Sequence, residues 1–454
     1  MFMEMSTLFL KKIKKFLSLF LWLFALGNDR INEVVFQKEK SGMEGIALDK
    51  TAECKLVLDT AVLAGKIMLQ SGAEIHRVED TIHRILKVSG MKTAEAFVMP
   101  TGLIVTLDDP RMDSMTVVKR IKTRGTNLSR IAEVNDISRR FCSGNISLEE
   151  AFHSLKHMKQ YTYTALQKYI AQIMVAFFFA ILLGGNGWDA VGAGAAGIGM
   201  VLILYLGRKI GLNDFFQLLL ASAVIAVVAY LAAENPYQTI QMDIVIIAAI
   251  MPIVPGAAIT TAVRDTMQGL CGRRSKSTGS ICQCGGDRGR RFIWNDPDGG
   301  DVMIIQVIAA FAAIFTFAMA LEIPKKYLIN CGFIGAAGWF VYLVVLQRFG
   351  MMTANLLGAA AITLLAHFFA RIKKAPVTIF LIPGFLTLVP GAGLYRSVHY
   401  FFIGNRSMGA AYLVQTLQIA GVIALGIFMV DSLVEIIGKR KQKEEKNNQS
   451  QVKK

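Results

Sequence analysis

The chain has 454 residues, of which 54% are hydrophobic and only 18% are charged, and its mean hydropathy is +0.46. Soluble domains carry about 25% charged residues, so this composition excludes a protein that is soluble throughout and predicts one embedded in a membrane. The net charge of +16 would fit a nucleic-acid-binding protein, but the basic residues lie in short loops between apolar segments and in the tail Lys439-Arg440-Lys441. That distribution is typical of cytoplasmic loops of membrane proteins, and we expect no nucleic acid as a partner.

Residues 1–50 form an N-terminal extension with two interpretations. Four lysines between residues 11 and 15 precede an apolar segment from Phe16 to Leu26, as in a signal peptide, but no small-residue cleavage site follows. The alternative, which we favour, is an upstream start codon, with the natural protein beginning near Met43. The recognisable domain starts just after that methionine.

Residues 51–165 are predicted to form a soluble, cytoplasmic α/β domain. Apolar residues recur at three- and four-residue steps from Leu56 to Val88, which indicates helix. Short strands are expected at 96–99 and 103–107 around the turn Pro100-Thr101-Gly102, with a third at 115–118. Residues 128–139 read as a helix, and Ser147 with Glu150 has the spacing of a capping box that opens a last helix.

From residue 166 the sequence consists of apolar segments long enough to cross a membrane as helices. The first membrane unit, residues 166–265, holds four predicted spans, at 169–185, 189–207, 215–233 and 242–263. The second unit, residues 301–435, holds five, at 302–321, 327–347, 352–371, 376–394 and 411–431. A basic tail, residues 436–454, follows and is expected on the cytoplasmic side.

A proline-glycine motif occurs once in each membrane unit. The segment from Met251 to Ala257 matches the segment from Leu388 to Ala392, and an arginine follows each copy, at Arg264 and Arg396. Proline inside a span removes a helix hydrogen bond, and interrupted spans in matching positions of a repeat point to a substrate site near the midplane. The alternative is a kink that serves packing only, and the matched positions favour the functional interpretation.

The loop charges conflict with nine spans. If the soluble domain is cytoplasmic, Arg208-Lys209 and Arg264 fall on the cytoplasmic side, but Lys325-Lys326, the basic loop 371–374 and the tail fall on the opposite side. One further span between residues 264 and 302 corrects all three.

That gap holds an aberrant polar tract, residues 266–300. The segment from Cys271 to Asp298 contains six Arg or Lys and three cysteines, and it cannot cross a bilayer. A metal site at Cys271, Cys282 and Cys284 has poor spacing for zinc. A one-base shift of the codons permits an apolar reading instead, so our hypothesis is that residues 271–299 are a frameshifted transmembrane helix. The predicted fold is therefore mostly α: a polytopic membrane protein of two five-helix repeats, one helix lost to this tract, behind the soluble α/β domain.

Three blocks resemble the threonine/serine exporter family over about residues 50–435. The first runs from Leu69 to Glu74 and from His76 to Asp80, with a later part at Asn127-Leu128 and Ile131 to Asn135; the others are the two proline-glycine regions, 251–265 and 389–396. The resemblance implies a ten-span permease of two fused five-span units behind a cytoplasmic domain. It also implies export of threonine and serine, driven by the proton motive force, while some two-component relatives are linked to dicarboxylates. The sequence departs from the family in its fifth span.

Candidate residues for substrate binding or gating are those of the two proline-glycine regions: Pro252, Pro255, Gly256, Thr260, Thr261, Arg264, Asp265, Pro383, Gly384, Pro390, Gly391, Gly393, Tyr395 and Arg396. An arginine there could bind a substrate carboxylate in bidentate fashion, or pair with Asp265 as a gate, or serve only as an interfacial anchor. Asp243 and His367 are candidates for a proton relay because ionisable groups in spans are usually functional, although both could instead lie near water.

Polar residues of the soluble domain form a second candidate motif: Ser71, Gly72, Glu74, Arg77, Glu79 and Asp80. Arg77 can pair with Glu74 at three-residue spacing, and a solvated ion-pair face is the alternative to a functional role. No catalytic triad, metal-ligand pattern or phosphate-binding glycine loop is present in the sequence, so we expect no enzyme, metal, cofactor or ATP-driven pump. The expected partners are a small-molecule substrate, the lipid bilayer, a proton gradient and, as an open alternative, further copies of the chain. The competing function is a membrane-anchored enzyme or signalling protein that acts through its soluble domain.

Overall fold

The computed structural model describes residues 47–90, 93–109, 112–122, 125–158, 163–234, 239–253 and 299–452. Most of the N-terminal extension and almost all of the aberrant tract therefore lie outside the described residues. The chain divides into two compact units, Met1–Thr162 with Phe368–Pro376, and Tyr163–His367 with Val377–Lys454.

The first unit contains the predicted soluble α/β domain. Its helices are α1 (Ala47–Gln70), α2 (Ile75–Lys87), α3 (Leu128–Cys142) and α4 (Leu148–Lys156), and its strands are β1 (Thr93–Met99), β2 (Gly102–Asp109) and β3 (Met112–Arg120). The strands form an antiparallel sheet in the order β1-β2-β3. The predicted helices and all three predicted strands are confirmed, with strand ends that extend beyond the predicted cores.

The core of this unit lies between the helices and one face of the sheet. Leu58 of α1, Ile82 of α2, Val105 of β2 and Ile131 of α3 are each at most 2% exposed. The predicted cap of α4 is present, since Ser147 Oγ accepts a hydrogen bond from the Glu150 amide at 3.1 Å. Local hydrogen bonding therefore starts the helix where the sequence indicated.

The second unit is helical throughout its described residues. Its helices are α5 (Ala165–Leu182), α6 (Gly187–Ile210), α7 (Asp214–Ala233), α8 (Met242–Ile250), α9 (Gly299–Ala320), α10 (Leu328–Ile372), α11 (Thr378–Phe385), α12 (Gly391–Phe402) and α13 (Arg406–Val452), with a short 3₁₀ turn at Lys325–Tyr327.

Six of the described segments are long and apolar enough to cross a membrane. One of them, Lys325–Ile372, covers two predicted spans, because Gly350 adopts φ 78° and ψ 175° and folds α10 back on itself. Positive φ costs glycine little, so the turn occurs there. The predicted span 376–394 consists of α11 and α12, which are separated by residues 386–390, in agreement with the interruption expected from its prolines. Of the predicted span 242–263, α8 and a turn through Ile253 are described.

Helices α5 and α9 form an antiparallel pair with a repeated set of contacts. The rings of Phe179 and Phe317 meet with centroids 6.3 Å apart. At one end of the pair Lys168 contacts Glu322, and at the other a Cβ at Gly184 would lie 3.7 Å from Nε2 of Gln306. The residues at these contacts correspond to one another at one constant separation along the chain: Lys168 corresponds to Gln306, Phe179 to Phe317, and Gly184 to Glu322. The two helices are therefore equivalent members of an inverted repeat.

The next helix of each repeat packs in the same way. A Cβ at Gly197 of α6 would lie 3.3 Å from the Cβ of Ala176, and a Cβ at Gly335 of α10 would lie 2.5 Å from Cγ1 of Ile314. Gly335 follows Gly197, and Ile314 follows Ala176, at the same separation along the chain that relates α5 to α9. Small residues thus allow close helix contact at matching places in both repeats. We call the two ends of the helical unit the Tyr163 end, where α5 begins and α9 stops, and the Gly184 end, where α5 stops and α6 begins.

Candidate substrate site

The proline-glycine region of the second repeat is a broken helix. Pro383 lies inside α11, the backbone leaves helical geometry after Phe385, and α12 begins at Gly391. Within the break, the Leu388 amide bonds to Phe385 O at 2.9 Å and the Gly391 amide to Val389 O at 2.8 Å, so the regular helical ladder is replaced by short turns. Such backbone is tolerated at membrane depth where it is buried in protein or lines a cavity.

Gly384 brings this broken helix against α10. A Cβ at position 384 would lie 2.8 Å from Cγ2 of Ile334 and 2.9 Å from Cγ2 of Ile362, one residue from each half of α10. Pro383 and Gly384 are both buried. For Gly384 close packing accounts for the residue, which is the alternative interpretation of the motif.

Met251 joins the two proline-glycine regions. It follows α8 of the first repeat, is 9% exposed, and places its Cε 2.9 Å and its Sδ 3.0 Å from the position that a Cβ at Gly391 would occupy. Gly391 begins α12 of the second repeat, directly after Pro390. Two motifs that are distant in sequence therefore meet at one point of the structure.

The other predicted residues of the first proline-glycine region lie mostly outside the described residues. Pro252 is half-buried in the turn after α8. The predicted site residues that lie outside the described residues are Pro255, Gly256, Thr260, Thr261, Arg264 and Asp265.

The residues that follow the second motif lie on α12. Tyr395 is half-buried, its ring stacks on His399 with centroids 5.9 Å apart, and its hydroxyl interacts electrostatically with Asp243. Arg396 is exposed. Gly393 allows α12 to pack against Thr416 Oγ1 of α13, which a Cβ would strike.

The two predicted proton-relay residues occupy different settings. Asp243 is exposed at the first turn of α8, near Tyr395. His367 lies inside α10, and its Nε2 forms a hydrogen bond of 2.7 Å with Oδ1 of Asp431 on α13. The side chains are 14% and 27% exposed, so a histidine and a carboxylate meet between two apolar spans. Asp431 is a residue that the sequence interpretation missed, although the rule used for His367 applies equally to it.

Asp189 is a second missed carboxylate, at the Gly184 end. It is fully buried, and it accepts hydrogen bonds from the Asn186 amide at 2.8 Å and from the Gln241 amide at 2.7 Å. These bonds cap α6 and attach the start of α8 to it. The spacing of Asn186 and Asp189 is that of a helix cap and could have revealed the residue in the sequence.

The motif of the soluble domain forms the corner between α1 and α2. Gly72 has φ 84°, and a Cβ there would lie 2.8 Å from Gly125 O, so both the turn and the close approach require glycine. Ser71 is buried, and its carbonyl accepts a hydrogen bond from the Asn127 amide at 3.0 Å. The two motif blocks of this domain, around residues 71 and 127, are thus brought together.

The charged residues of this corner have structural partners. Glu74 forms an ion pair with Arg77 at 3.7 Å, as the spacing predicted, and its carboxylate lies 3.4 Å from Nε2 of His76. Glu79 accepts a hydrogen bond from the Val98 amide at 3.2 Å, which connects α2 to β1, and Asp80 is exposed. These contacts favour the interpretation of the motif as a structural ion-pair face.

Comparison with known proteins fits this arrangement. Residues 59–271 match a family model described as "Putative threonine/serine exporter", and residues 306–433 match one described as "Threonine/Serine exporter, ThrE". A protein of Mycobacterium tuberculosis (strain ATCC 25618 / H37Rv) named "Probable threonine/serine exporter" is 23% identical over an alignment of 408 residues, which covers 82% of this chain and 74% of the relative. No solved structure matches the chain. The first matched segment covers the soluble domain and the first repeat, and the second covers most of the second repeat. Together with the relative, they show that this multi-pass membrane protein belongs to the threonine/serine exporter family.

Proposed function

We propose that the protein is a secondary transporter that exports threonine, serine or a similar small hydroxy amino acid. The observation that carries this proposal is the contact between Met251 and Gly391, since it joins the end of α8 in the first repeat to the broken helix of the second. In transporters of this construction the substrate binds where such helices meet, because unwound backbone offers free amides and carbonyls. The name of the mycobacterial relative points to the same substrates.

We assign the substrate site to the proline-glycine regions, with Arg264 and Arg396 as candidates for the substrate carboxylate. A guanidinium binds a carboxylate through two parallel hydrogen bonds, which gives both affinity and orientation. Thr260 and Thr261 are candidates for the substrate hydroxyl. The exposed position of Arg396 on α12 is compatible with contact to a ligand that arrives from water.

The proposed driving force is a proton gradient, with the His367–Asp431 pair as its point of entry. Two ionisable residues that share a hydrogen bond between apolar helices can take up and release a proton at low structural cost. Asp243, exposed beside Tyr395, is the weaker candidate for this role.

We also propose that the Tyr163 end faces the cytoplasm. Arg208 and Lys209 lie where α6 stops, and Lys325 lies with its Nζ 5.8 Å from the centre of the Tyr163 ring, so basic loops collect at this end. Basic loops remain on the cytoplasmic side of a membrane. Protease protection of the loops in oriented vesicles tests this assignment.

We also propose that the first repeat has lost its last membrane span. Helix α8 starts at the Gly184 end, where the Gln241 amide bonds to Asp189, and α9 starts at the same end, where Gln306 lies beside Gly184. The family models match up to residue 271 and again from residue 306. Both observations fit one lost span between the two repeats. Sequencing of the DNA across codons 271–299 decides the matter, since an apolar frame must open after a one-base shift.

Radiolabelled threonine efflux from membrane vesicles tests the transport proposal. We expect Arg264→Ala and Arg396→Ala to slow efflux strongly, and Arg348→Ala, an exposed arginine of α10 far along the chain from both motifs, to leave it unchanged. Unchanged efflux in both site variants would remove the proposed site. Efflux of succinate but not of threonine would favour the dicarboxylate alternative. If the chain with its reading frame restored exports neither class, the transporter proposal fails.

A further inference from the structure

An ion pair at the Tyr163 end has no part in the proposed substrate site. Lys168 Nζ of α5 lies 2.5 Å from Oε1 of Glu322, directly after α9. The side chains are 24% and 8% exposed. Burial of charges is costly unless their geometry is good, and an ion pair of this kind is weak grounds for stability alone. The pair therefore requires another explanation.

The backbone of Glu322 is unusual for a glutamate. Its φ is 57°, in the left-handed region, and the equivalent corner of the first repeat has Gly184 with φ 85°. Both corners have the same hydrogen bonds, from the Gly184 amide to Ile181 O and from the Glu322 amide to Met319 O. Glycine is the favourable residue in this conformation, so a glutamate at position 322 costs backbone strain. Its carboxylate, which bonds Lys168, is the group that glycine lacks.

The equivalent position at the Gly184 end lacks this ion pair. Gln306 stands at the position of Lys168, and Gly184 stands at the position of Glu322. Gln306 is 5% exposed, and its Oε1 accepts no hydrogen bond from the part of the chain that the structure describes. Among the described residues, the α5–α9 pair thus has an ion pair at the Tyr163 end and none at the equivalent position of the Gly184 end.

The corner that carries Glu322 contacts the broken helix. Tyr163 Oη donates a hydrogen bond of 2.7 Å to Ile323 O, which holds the corner to the start of α5. A few residues further on, the Tyr327 ring meets that of Phe380 at 5.3 Å, and Cys331 Sγ donates to Ile379 O at 3.6 Å. Movement of this corner would therefore displace α11, which leads into Pro383 and the break.

We propose that Lys168 and Glu322 form a gate that keeps the Tyr163 end closed in this conformation, and that the pair separates when the site opens to that side. The gate rests on the proposed transport function, but it does not depend on which substrate is transported. In an inverted repeat the two ends open alternately, since the repeats exchange their conformations. A charged contact at one end only determines which end is closed at rest.

The labelling rate of Cys331 measures the opening of this end. The thiol is fully buried beneath the corner, so N-ethylmaleimide reaches it only when the corner moves. In full-length protein with the other five cysteines replaced by serine, we expect Glu322→Gln and Lys168→Met each to speed labelling about tenfold, which equals ~1.4 kcal/mol. The charge exchange Lys168→Glu with Glu322→Lys should restore slow labelling. Fast labelling in the exchanged protein would show that the ion pair is not the cause and would overturn the gate.

A matched experiment builds the same pair at the opposite end. Gly184→Glu with Gln306→Lys places both charges at the equivalent positions. A Cβ at Gly184 meets only Gln306 Nε2, at 3.7 Å, but its φ of 85° strains the new side chain, as the φ of 57° does for Glu322. Because the ends open alternately, this closure should speed Cys331 labelling although Lys168 and Glu322 are untouched. A purely structural ion pair predicts no change, so an unchanged rate contradicts the gate.

Threonine separates the gate from the substrate assignment. If the ion-pair variants speed labelling but added threonine has no effect on the wild-type rate, the gate stands and the proposed substrate fails. If threonine is exported while labelling is the same in all variants, the transport proposal stands and the gate fails.

Discussion

The two repeats share a backbone plan but carry different polar residues at equivalent positions. The first repeat (α5 to α8) has Gly184, and the second (α9 to α13) has Glu322 in the same corner. Counted at the chain separation of the pairs above, the buried Ala229 of α7 falls at the position of His367 of α10, which bonds Asp431. Helix contacts through glycine are kept in both repeats, as Gly197 and Gly335 show. Packing thus requires what the repeats have in common, and we expect function to depend on where they differ.

The largest expected effect comes from the His367–Asp431 pair of the second repeat, since the first repeat has Ala229 at the position of the histidine. His367→Gln and Asp431→Asn should each slow gradient-driven efflux by about a hundredfold, a typical contribution of a proton-transfer group, because the proton then has no carrier. The double variant should be no slower than either single variant, since both remove one shared function. Efflux from vesicles at several imposed pH gradients measures this, and the dependence on the gradient should flatten.

His399→Gln is the control for this experiment. His399 is an exposed histidine on α12, stacked on Tyr395, so the change removes an imidazole from the same unit without touching the pair. We expect its efflux to respond to the gradient as in the wild type. If the His367 and Asp431 variants keep the full gradient dependence, the pair only holds α10 to α13 and does not carry protons.

The next effect tests the contacts that the repeats share. Gly335→Ala places a Cβ 2.5 Å from Ile314, whereas Gly197→Ala places one 3.3 Å from both the Cβ of Ala176 and the Cα of Ile173. Overpacking of a close contact costs about 1–3 kcal/mol, so we expect both variants to be less stable than the wild type and Gly335→Ala to lose the more. Thermal unfolding in detergent compares the two.

Adding Ile314→Ala to Gly335→Ala replaces the isoleucine that faces position 335 by an alanine, the residue that faces Gly197 in the first repeat. If the repeats are equivalent, this second change should recover most of the stability lost by the first. A double variant less stable than Gly335→Ala alone would show that the contact is not the cause, and the correspondence of the two helix pairs would lose its energetic basis.

Much of this fold was predictable from the sequence because the bilayer imposes a simple rule on segment length. The spans of α5, α6, α7 and α9, and both halves of α10, lie within a few residues of the predicted ones. The interruption of the span 376–394 was indicated by Pro383 and Pro390, but its place, residues 386–390, was not given by the sequence. The helix, strand and turn pattern of the soluble domain was also predictable, because each change was marked by glycine, proline or a capping residue.

The contacts of the site were much less predictable than the spans. Lys168 and Glu322 are far apart in the chain, and neither lies in a motif, so their pairing emerges only when α5 and α9 are aligned. The same holds for Met251 and Gly391, whose contact depends on how the repeats cross. Local patterns record helix ends and burial, whereas the partner of a side chain is set by tertiary packing.

The smallest expected effect comes from an uncharged contact at the Tyr163 end of the α5–α9 pair, the hydrogen bond of the Tyr163 hydroxyl. Tyr163→Phe removes the hydrogen bond of 2.7 Å to Ile323 O and should cost about 1 kcal/mol of stability.

Burial, with Cys331 and Glu322 nearby, raises the pKa of the Tyr163 hydroxyl to about 12. The folded protein therefore holds this proton above the ordinary pKa of tyrosine, about 10, and the contribution is complete below that pH and lost as the pH rises toward 12. Tyr163→Phe should unfold less steeply over this alkaline range, whereas Tyr205→Phe, at an exposed tyrosine of α6, should match the wild type. Equal alkaline unfolding of Tyr163→Phe and wild type would show that the hydroxyl does not hold this corner, and would leave the ion pair as the contact that distinguishes the Tyr163 end from the Gly184 end.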